Sequence, residues 1–264
     1  MKKSYLKTNI FEVKNLVTDY LDTLTGVMDD FVESHMLEAE WYKIKIDNDT
    51  VGFFTLFEEL DGVRITSFFL KQDYYLYAQN TFKDILTEFK ITTAYVLTCD
   101  ELFLSLCLDN HKKILMQAYM FNGNFQRDKK ELKYPRSCFV KVSADEMESV
   151  RSLTGDFFDE FKTEDFNEKY YLYCLKENDV PLGYGVIVPN KIQKECWACG
   201  MITLEEHRNK GVGRSIQVHL GDICRENNAV PISGCWYYNY LSKKTIESAG
   251  RYTKTRLLNV LFKN

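Results

Sequence analysis

The run His207-Arg208-Asn209-Lys210-Gly211-Val212-Gly213-Arg214-Ser215 constrains this chain more than any other stretch. It follows a strand-like apolar run from Cys196 to Ile202. It opens a helix-like run in which Val212, Ile216, Leu220 and Ile223 recur at helical spacing. Two glycines two residues apart at a strand-to-helix turn let the backbone bend tightly and come close to a ligand. The helix that follows aims its unpaired N–H groups and the positive end of its dipole at that ligand. Arg208, Lys210 and Arg214 add three cations. Such a turn suits a phosphate or a pyrophosphate.

Two familiar phosphate-binding patterns are excluded residue by residue. A nucleotide-hydrolase loop needs Gly, four residues, then Gly-Lys-Ser/Thr, and the chain has no such string. A dinucleotide fingerprint needs a third glycine three residues after the second, where Ile216 stands. What remains is Arg-x-x-Gly-x-Gly, carried by Arg208, Gly211 and Gly213. Downstream, Val230-Pro231-Ile232-Ser233-Gly234-Cys235-Trp236 reads as a buried strand, followed by Asn239-x-x-Ser242 and then Ala249-Gly250.

This series resembles the acyl-coenzyme A site of the GNAT superfamily of amine N-acetyltransferases, from Lys141 to the C-terminus. Its Pro, Trp/Cys strand, Asn-x-x-Ser and Gly look most like the subgroup of zwittermicin-type self-resistance acetyltransferases. The resemblance implies that Arg208, Asn209, Lys210, Gly211, Val212, Gly213, Arg214 and Ser215 hold the pyrophosphate of acetyl-coenzyme A, with no metal. It also implies that the preceding strand bulges and splays from its neighbour, leaving Met201, Ile202 and Thr203 to bond the pantetheine arm, with Asn239 and Ser242 as further contacts. Gly200 fits such a bulge, or else relieves crowding beside Trp197. Two positions depart from the pattern: Arg251 replaces the usual Phe after Gly250, and Ile246 stands where many members carry a thiolate-protonating Tyr.

Catalytic candidates follow from the chemistry of acetyl transfer, which needs a base for the amine and an acid for the leaving sulfur. Glu195 opens the key strand and is the candidate base, its bland alternative being a solvated turn residue. Glu205 and Glu206 read as flanking the loop, pairing with Arg208 or Lys210. Tyr237 and Tyr238 end the later strand, and alternation of strand side chains should turn one of them toward the splay as acid. His207 reads as a loop residue, and His35, His111 and His219 as structural. Asn239 and Ser242 equally suit the cap of the following helix.

The two halves echo each other. Asp47-Asn48-Asp49-Thr50-Val51-Gly52 and Glu177-Asn178-Asp179-Val180-Pro181-Leu182-Gly183 are similar hairpin turns, 130 residues apart (47 against 177). Each lies between strand-like runs and leads into helix, strand, helix, strand, placed in the first half at about 73–89, 92–98, 101–115 and 116–121. That period is a domain duplication. The expected fold is α/β (α+β): two tandem GNAT-like domains, each a mixed, mostly antiparallel sheet with helices on both faces. Residues 1–125 form a degenerate domain, 126–137 a linker and 138–264 the acetyltransferase domain. Where the second half has its glycine loop, the first reads Lys71-Gln72-Asp73-Tyr74-Tyr75-Leu76-Tyr77. Asp73 would repel a pyrophosphate there by ~1 kcal/mol or more, so coenzyme A is expected in the second half alone.

Composition bounds the partners. A net charge of −4 with no Lys/Arg-rich block gives no attraction to nucleic acid. No apolar run reaches the ~18 residues that span a bilayer, and Met1-Lys2-Lys3-Ser4-Tyr5 leads into no signal core, so no membrane partner is expected. The eight cysteines, lacking an export signal, suit a reducing cytoplasm, and Cys196-Trp-Ala-Cys199 has no second pair to complete a zinc site. The leading function is transfer of an acetyl group to a primary amine of a small molecule (amino sugar, polyamine, amino acid or antibiotic-like) in a ternary complex, by a monomer or homodimer. Its alternatives are a catalytically decayed acyl-coenzyme A-binding module, motivated by Ile246, and an aminoacyl-tRNA-dependent transferase, which the acidic charge disfavours.

Overall fold

The computed structural model of the chain describes residues 2–60, 62–123 and 131–263. Its elements run β1 (Lys3–Thr8), α1 (Lys14–Thr23), α2 (Asp30–Leu37), β2 (Glu40–Ile46), β3 (Asp49–Glu59), β4 (Gly62–Leu70), α3 (Ala78–Glu88), β5 (Ile91–Leu97), α4 (Glu101–Asn110) and β6 (His111–Asn122). They continue β7 (Phe139–Lys141), α5 (Met147–Thr154), β8 (Tyr171–Glu177), β9 (Val180–Pro189), β10 (Cys196–Thr203), α6 (Val212–Glu226), β11 (Val230–Trp236), α7 (Tyr240–Ser248) and β12 (Tyr252–Phe262). Two compact units result: Met1–Ala118 together with Thr255–Asn264, and Tyr119–Lys254. Of the linker expected at 126–137, residues 126–130 lie outside the described residues.

In the first unit, β1, β2, β3 and β4 pair antiparallel in sequence order, β5 pairs parallel to β4, and β12 pairs antiparallel to β5 at Leu257–Leu261. The second unit repeats this scheme: β7 through β10 pair antiparallel in order and β11 runs parallel to β10. Both sheets are therefore mixed and mostly antiparallel, as the sequence pattern predicts. Alternation along β9 shows why helices cover both faces of the second sheet. Ile187 joins the cluster of Val212, Ile216 and Leu220 on α6, and so does Leu182, which lies at the register shift between the Leu175↔Gly183 and Lys176↔Pro181 pairs. Tyr184 and Val186 join Met147 and Val150 of α5. Gly185 seats α6 close, since a Cβ there would stand 2.7 Å from Ile216 Cγ2.

Three boundaries differ from the sequence expectation. The helix expected over 101–115 ends at Asn110, and the strand starts at His111. Ile114 and Met116, two apart, both reach the core, which is a strand spacing. The helix expected at 73–89 is a 3-10 turn, Gln72–Tyr77, followed by α3. Ahead of β2 stand two helices, where the order β-α-β-β-β-α-β-α-β that the sequence suggests for each half has one, because Asp29 caps α2 afresh by accepting from Val32 N–H at 3.1 Å.

The last ten residues, Thr255–Asn264, group with the first unit, where the domain reading by sequence placed all of 138–264 together. Leu258, Val260 and Phe262 enter the core of Phe54, Phe68, Phe82 and Phe103, with Phe262 edge-on to Phe82 at 5.9 Å. Phe262→Ala should cost the protein about 3–5 kcal/mol, as for other buried Phe truncations. Denaturant unfolding measures this, and a loss below about 1 kcal/mol would contradict the placement of β12 in that core.

Candidate functional site

The site begins where two strands stop pairing. β10 and β11 match at Cys196↔Val230, Trp197↔Pro231 and Ala198↔Ile232, and no further. On its other edge β10 stays paired with β9 without interruption to Thr203↔Gly183. Peptide groups of a strand point alternately to its two edges. Val230 N–H donates to Glu195 C=O at 2.7 Å, and Ser233 Oγ donates to Cys199 C=O at 2.7 Å, so the odd-numbered residues face β11. The peptides of Met201 and Thr203 therefore line the opening. Ile202 does not join them. Its carbonyl faces β9, where a Cβ on Gly183 would come within 2.6 Å of it. The strand splays as expected, but the β9–β10 register shows no bulge at Gly200. That glycine instead makes room for Val186, whose Cγ1 would lie 2.9 Å from an added Cβ.

Three side chains that the sequence did not single out for this role close the vertex of the opening. Ser233 is buried, and its hydroxyl bridges to Cys199 C=O in place of the lost ladder bond. Gln217 Nε2 of α6 donates to the same carbonyl at 3.4 Å. Arg251, 4% exposed, donates to Ile232 C=O at 2.9 Å, to Ser233 Oγ, and to Gln217 C=O at 3.2 Å. These three acceptors are neutral, so hydrogen bonds rather than an ion pair hold this buried cation among the described residues. The departure from the usual Phe was the sole signal of Arg251 in the sequence.

The glycine loop leads from this opening into α6. After a 3-10 turn at Glu205–His207, Asn209 (φ 60°) and Gly211 (φ 84°) adopt the left-handed conformation. The first helical bond runs from Ser215 N–H to Gly211 C=O at 3.1 Å, so the amides of Val212 and Gly213 have no acceptor within the helix. Among the described residues no side chain caps α6, nor α1, α3 or α5, whereas Asp29, Asp100 and Asn239 cap α2, α4 and α7. Gly213 sits tightly beside the opening: a Cβ there would lie 3.2 Å from both Met201 Sδ and Thr203 Oγ1, and 2.9 Å from Thr245 Cγ2 of α7. One turn in, Ser215 is 1% exposed and its hydroxyl has no hydrogen-bond partner among the described residues.

The loop's side chains divide by role. Arg208 and Lys210 are exposed, Arg208 lying 3.8 Å from Glu205 as the flanking reading expects. Arg214 is turned to protein carbonyls, donating to Ser248 C=O at 2.8 Å and Glu131 C=O at 3.4 Å, and so ties α6 to α7. Asn239 Oδ1 accepts from Ser242 N–H at 3.0 Å, which is the helix-cap geometry.

The catalytic candidates scatter. Glu195 is exposed in the turn before β10, at the closed end of the β10–β11 pair, on the wrong side of the vertex for the opening. Tyr237 and Tyr238 lie in the turn beyond β11, so strand alternation does not orient them. Tyr237 stacks on Tyr119 at 4.7 Å, beside Phe121 and the buried Ile246. Tyr238 is 49% exposed. It stands at the C-terminal end of β11, the end at which β10 delivers the loop. Among the described residues no group of His, Cys, Asp or Glu is placed to hold a metal ion, and no helix is long and apolar enough to cross a membrane.

Two family descriptions match the chain: an acetyltransferase (GNAT) domain over residues 9–124, and the acetyltransferase (GNAT) family over residues 134–241. The chain belongs to the GNAT acetyltransferases and carries two such domains in tandem. No curated protein matches it in sequence. Its fold is similar to a solved GNAT-family acetyltransferase from Colwellia psychrerythraea, with TM-score 0.85, 17% identity and 100% of each chain covered. It is similar also to a tandem GNAT protein from the clavulanic acid biosynthesis pathway (TM-score 0.60, 11% identity, 98% of each chain). A GCN5-related N-acetyltransferase from Sphaerobacter thermophilus gives TM-score 0.63 at 9% identity, over 98% of this chain and 95% of that one. At these identities the likeness is one of fold.

The first domain repeats the parting of strands with different chemistry. β4 and β5 pair at Val63, Arg64 and Ile65, then separate. Asp100 caps α4 by accepting from Phe103 N–H at 3.2 Å, the same offset at which Asn239 caps α7. Its other oxygen accepts from Tyr20 O–H at 2.9 Å. Burial pushes this carboxyl up to about 7, against the pull of both hydrogen bonds. The unfolded chain releases the same proton near pH 4. Between those values the native state binds more protons, so the contribution of Asp100 to stability is full below about pH 4 and is lost as pH rises to about 7. Asp100→Asn keeps the cap and mimics the protonated form. Its melting temperature relative to the parent should therefore climb by several degrees from pH 5 to pH 8. A difference that stays constant with pH would contradict the burial of this carboxyl.

Proposed function

We propose that the second unit binds acetyl-coenzyme A, with the diphosphate on the amides of Val212 and Gly213, and passes the acetyl group to a primary amine of a small molecule. The observation that carries this reading is the uncapped, glycine-opened N-terminus of α6 lying directly beside the open edge of β10. Bare amides and the helix dipole favour an anion there. Lys210 and Arg208 add long-range attraction, and the unpartnered Ser215 hydroxyl can donate from within the first turns. The solved tandem protein of the clavulanic acid pathway is described by its state without AcCoA, which suits the same reading.

When bound, the thioester supplies the activated acetyl group. The chain's part is positioning and polarisation. The Met201 and Thr203 peptides hold an extended arm along the opening and aim N–H groups at a carbonyl oxygen. Fixing two reactants in line can remove about 7–11 kcal/mol from the barrier. An alkylamine with a pKa near 10.4 needs about 4–5 kcal/mol to reach its neutral form at pH 7, so positioning is the larger contribution. Tyr238 is the acid candidate for the leaving sulfur, Tyr237 being stacked in a core cluster. An amino sugar, polyamine, amino acid or antibiotic-like amine fits the reaction, the last on the zwittermicin-type resemblance alone.

A decayed binding module is the second reading. It is favoured by the buried Ile246 at the tyrosine position and by Glu195 lying at the closed end of the strand pair. Calorimetry with coenzyme A and thiol release with acetyl-coenzyme A and an amine panel separate the two. Tight binding with turnover, both lost at least tenfold in Gly211→Glu, supports the transferase. Gly211→Ala, with a similar backbone penalty of about 1–2 kcal/mol and no carboxylate, should retain most binding. Binding without turnover on any amine supports the module, and no binding of coenzyme A overturns both.

A further inference from the structure

Between α1, the end of β4 and the start of α4, the first unit holds a cavity of about 300 Å³. Tyr20, Phe68, Phe69 and Tyr75 supply aromatic walls, and Asp100 and Glu101 supply two carboxyl groups; no Lys or Arg lines it. Asp100 is 4% exposed and is fixed by Tyr20 O–H on one oxygen and Phe103 N–H on the other. Each carboxylate oxygen can accept a second hydrogen bond, so the fixed group retains acceptor capacity toward the cavity. Tyr20 is itself locked edge-on against Phe53 and Phe69, at 5.7 and 6.1 Å, so the wall is rigid. Tyr75, 39% exposed, has its hydroxyl made less acidic by burial and by the nearby charges of Asp100 and Glu101.

These features select the sign of a ligand. A buried carboxylate without a protein cation is costly, and an ammonium entering the cavity would pair with it through a charge-assisted hydrogen bond. The aromatic faces attract a cation and accommodate its alkyl or aryl body. A phosphate would meet two like charges and no donor from a basic side chain. We propose that this cavity is a binding site for a small organic cation, an alkyl- or arylammonium seated on Asp100 between the rings of Tyr20, Phe69 and Tyr75. The site lies wholly within the first unit and does not depend on coenzyme A binding by the second.

The test uses calorimetry on the full chain at pH 8 with butylammonium, phenethylammonium and benzyltrimethylammonium, and 2-phenylethanol as neutral counterpart. At least one cation should bind, phenethylammonium at least tenfold more tightly than the alcohol. Asp100→Asn retains the α4 cap and should weaken the cation at least tenfold while leaving the alcohol unchanged. Tyr75→Ala, at the mouth and outside the core, should weaken it about threefold or more. Gly211→Glu should leave cation binding intact even where it abolishes coenzyme A binding, which separates this proposal from the reading of the second unit. The proposal is overturned if no cation binds at millimolar concentration, if cation and alcohol bind equally, or if Asp100→Asn binds as the parent does.

Discussion

Two parallel strands that stop pairing after three residues set the terms for everything else in the second domain. A buried sheet edge with unmet peptide groups is costly unless something satisfies them. Here the vertex is satisfied from within, by Ser233 on Cys199 C=O and Arg251 on Ile232 C=O. Beyond the vertex, Met201 and Thr203 keep peptide groups on an edge with no strand to meet them. The sealed vertex and the open rim are one device: bonds that replace the ladder at the closed end keep the strands apart at the other. Gln217 joins α6 to the vertex, so the helix whose N-terminus faces the opening is anchored to the strands that define it.

The same geometry recurs in the first domain with different side chains around it. Both domains part their parallel strands after three pairs, and both cap the following helix with an Asx side chain accepting from the amide three residues on. In the second domain the cap is a neutral Asn, and the preceding turn has a glycine-opened helix end. In the first the cap is a buried Asp, and the preceding turn is a 3-10 helix carrying Asp73. On the two proposals made above, a helix end that takes an anion in one domain has as its counterpart a pocket that takes a cation in the other. Duplication preserved the backbone device, and a few side chains around it differ.

Much of this was legible in the chain. Local signals carried it: the Gly-x-Gly turn, the Asn-Asp hairpins, the Asn239 cap, and the strand-like apolar run from Cys196 to Ile202 that marks β10. What failed was non-local. Nothing in the sequence of 255–264 marks these residues for the first unit's core, because an alternating strand pattern does not name its partner. The strand pattern extends to the tyrosines at 237 and 238, two residues too far, because the turn begins after Trp236. Gly200 suits either a bulge or relief of crowding beside Trp197 by sequence, but it answers a contact with Val186 across the sheet. Arg251 was visible as a departure from a family pattern, while its partners, three neutral acceptors from two other elements, required the fold.

The claim that the α6 N-terminus is the anion cradle is tested most directly by amide chemical shifts on 15N-labelled protein titrated with coenzyme A. The amides of Gly211, Val212 and Gly213 should move first and furthest, with the coenzyme's diphosphate 31P resonances shifting in step and the amides of residues 71–77 unmoved. Saturable shifts confined to residues 71–77, with Gly211 and Gly213 unperturbed, would contradict it.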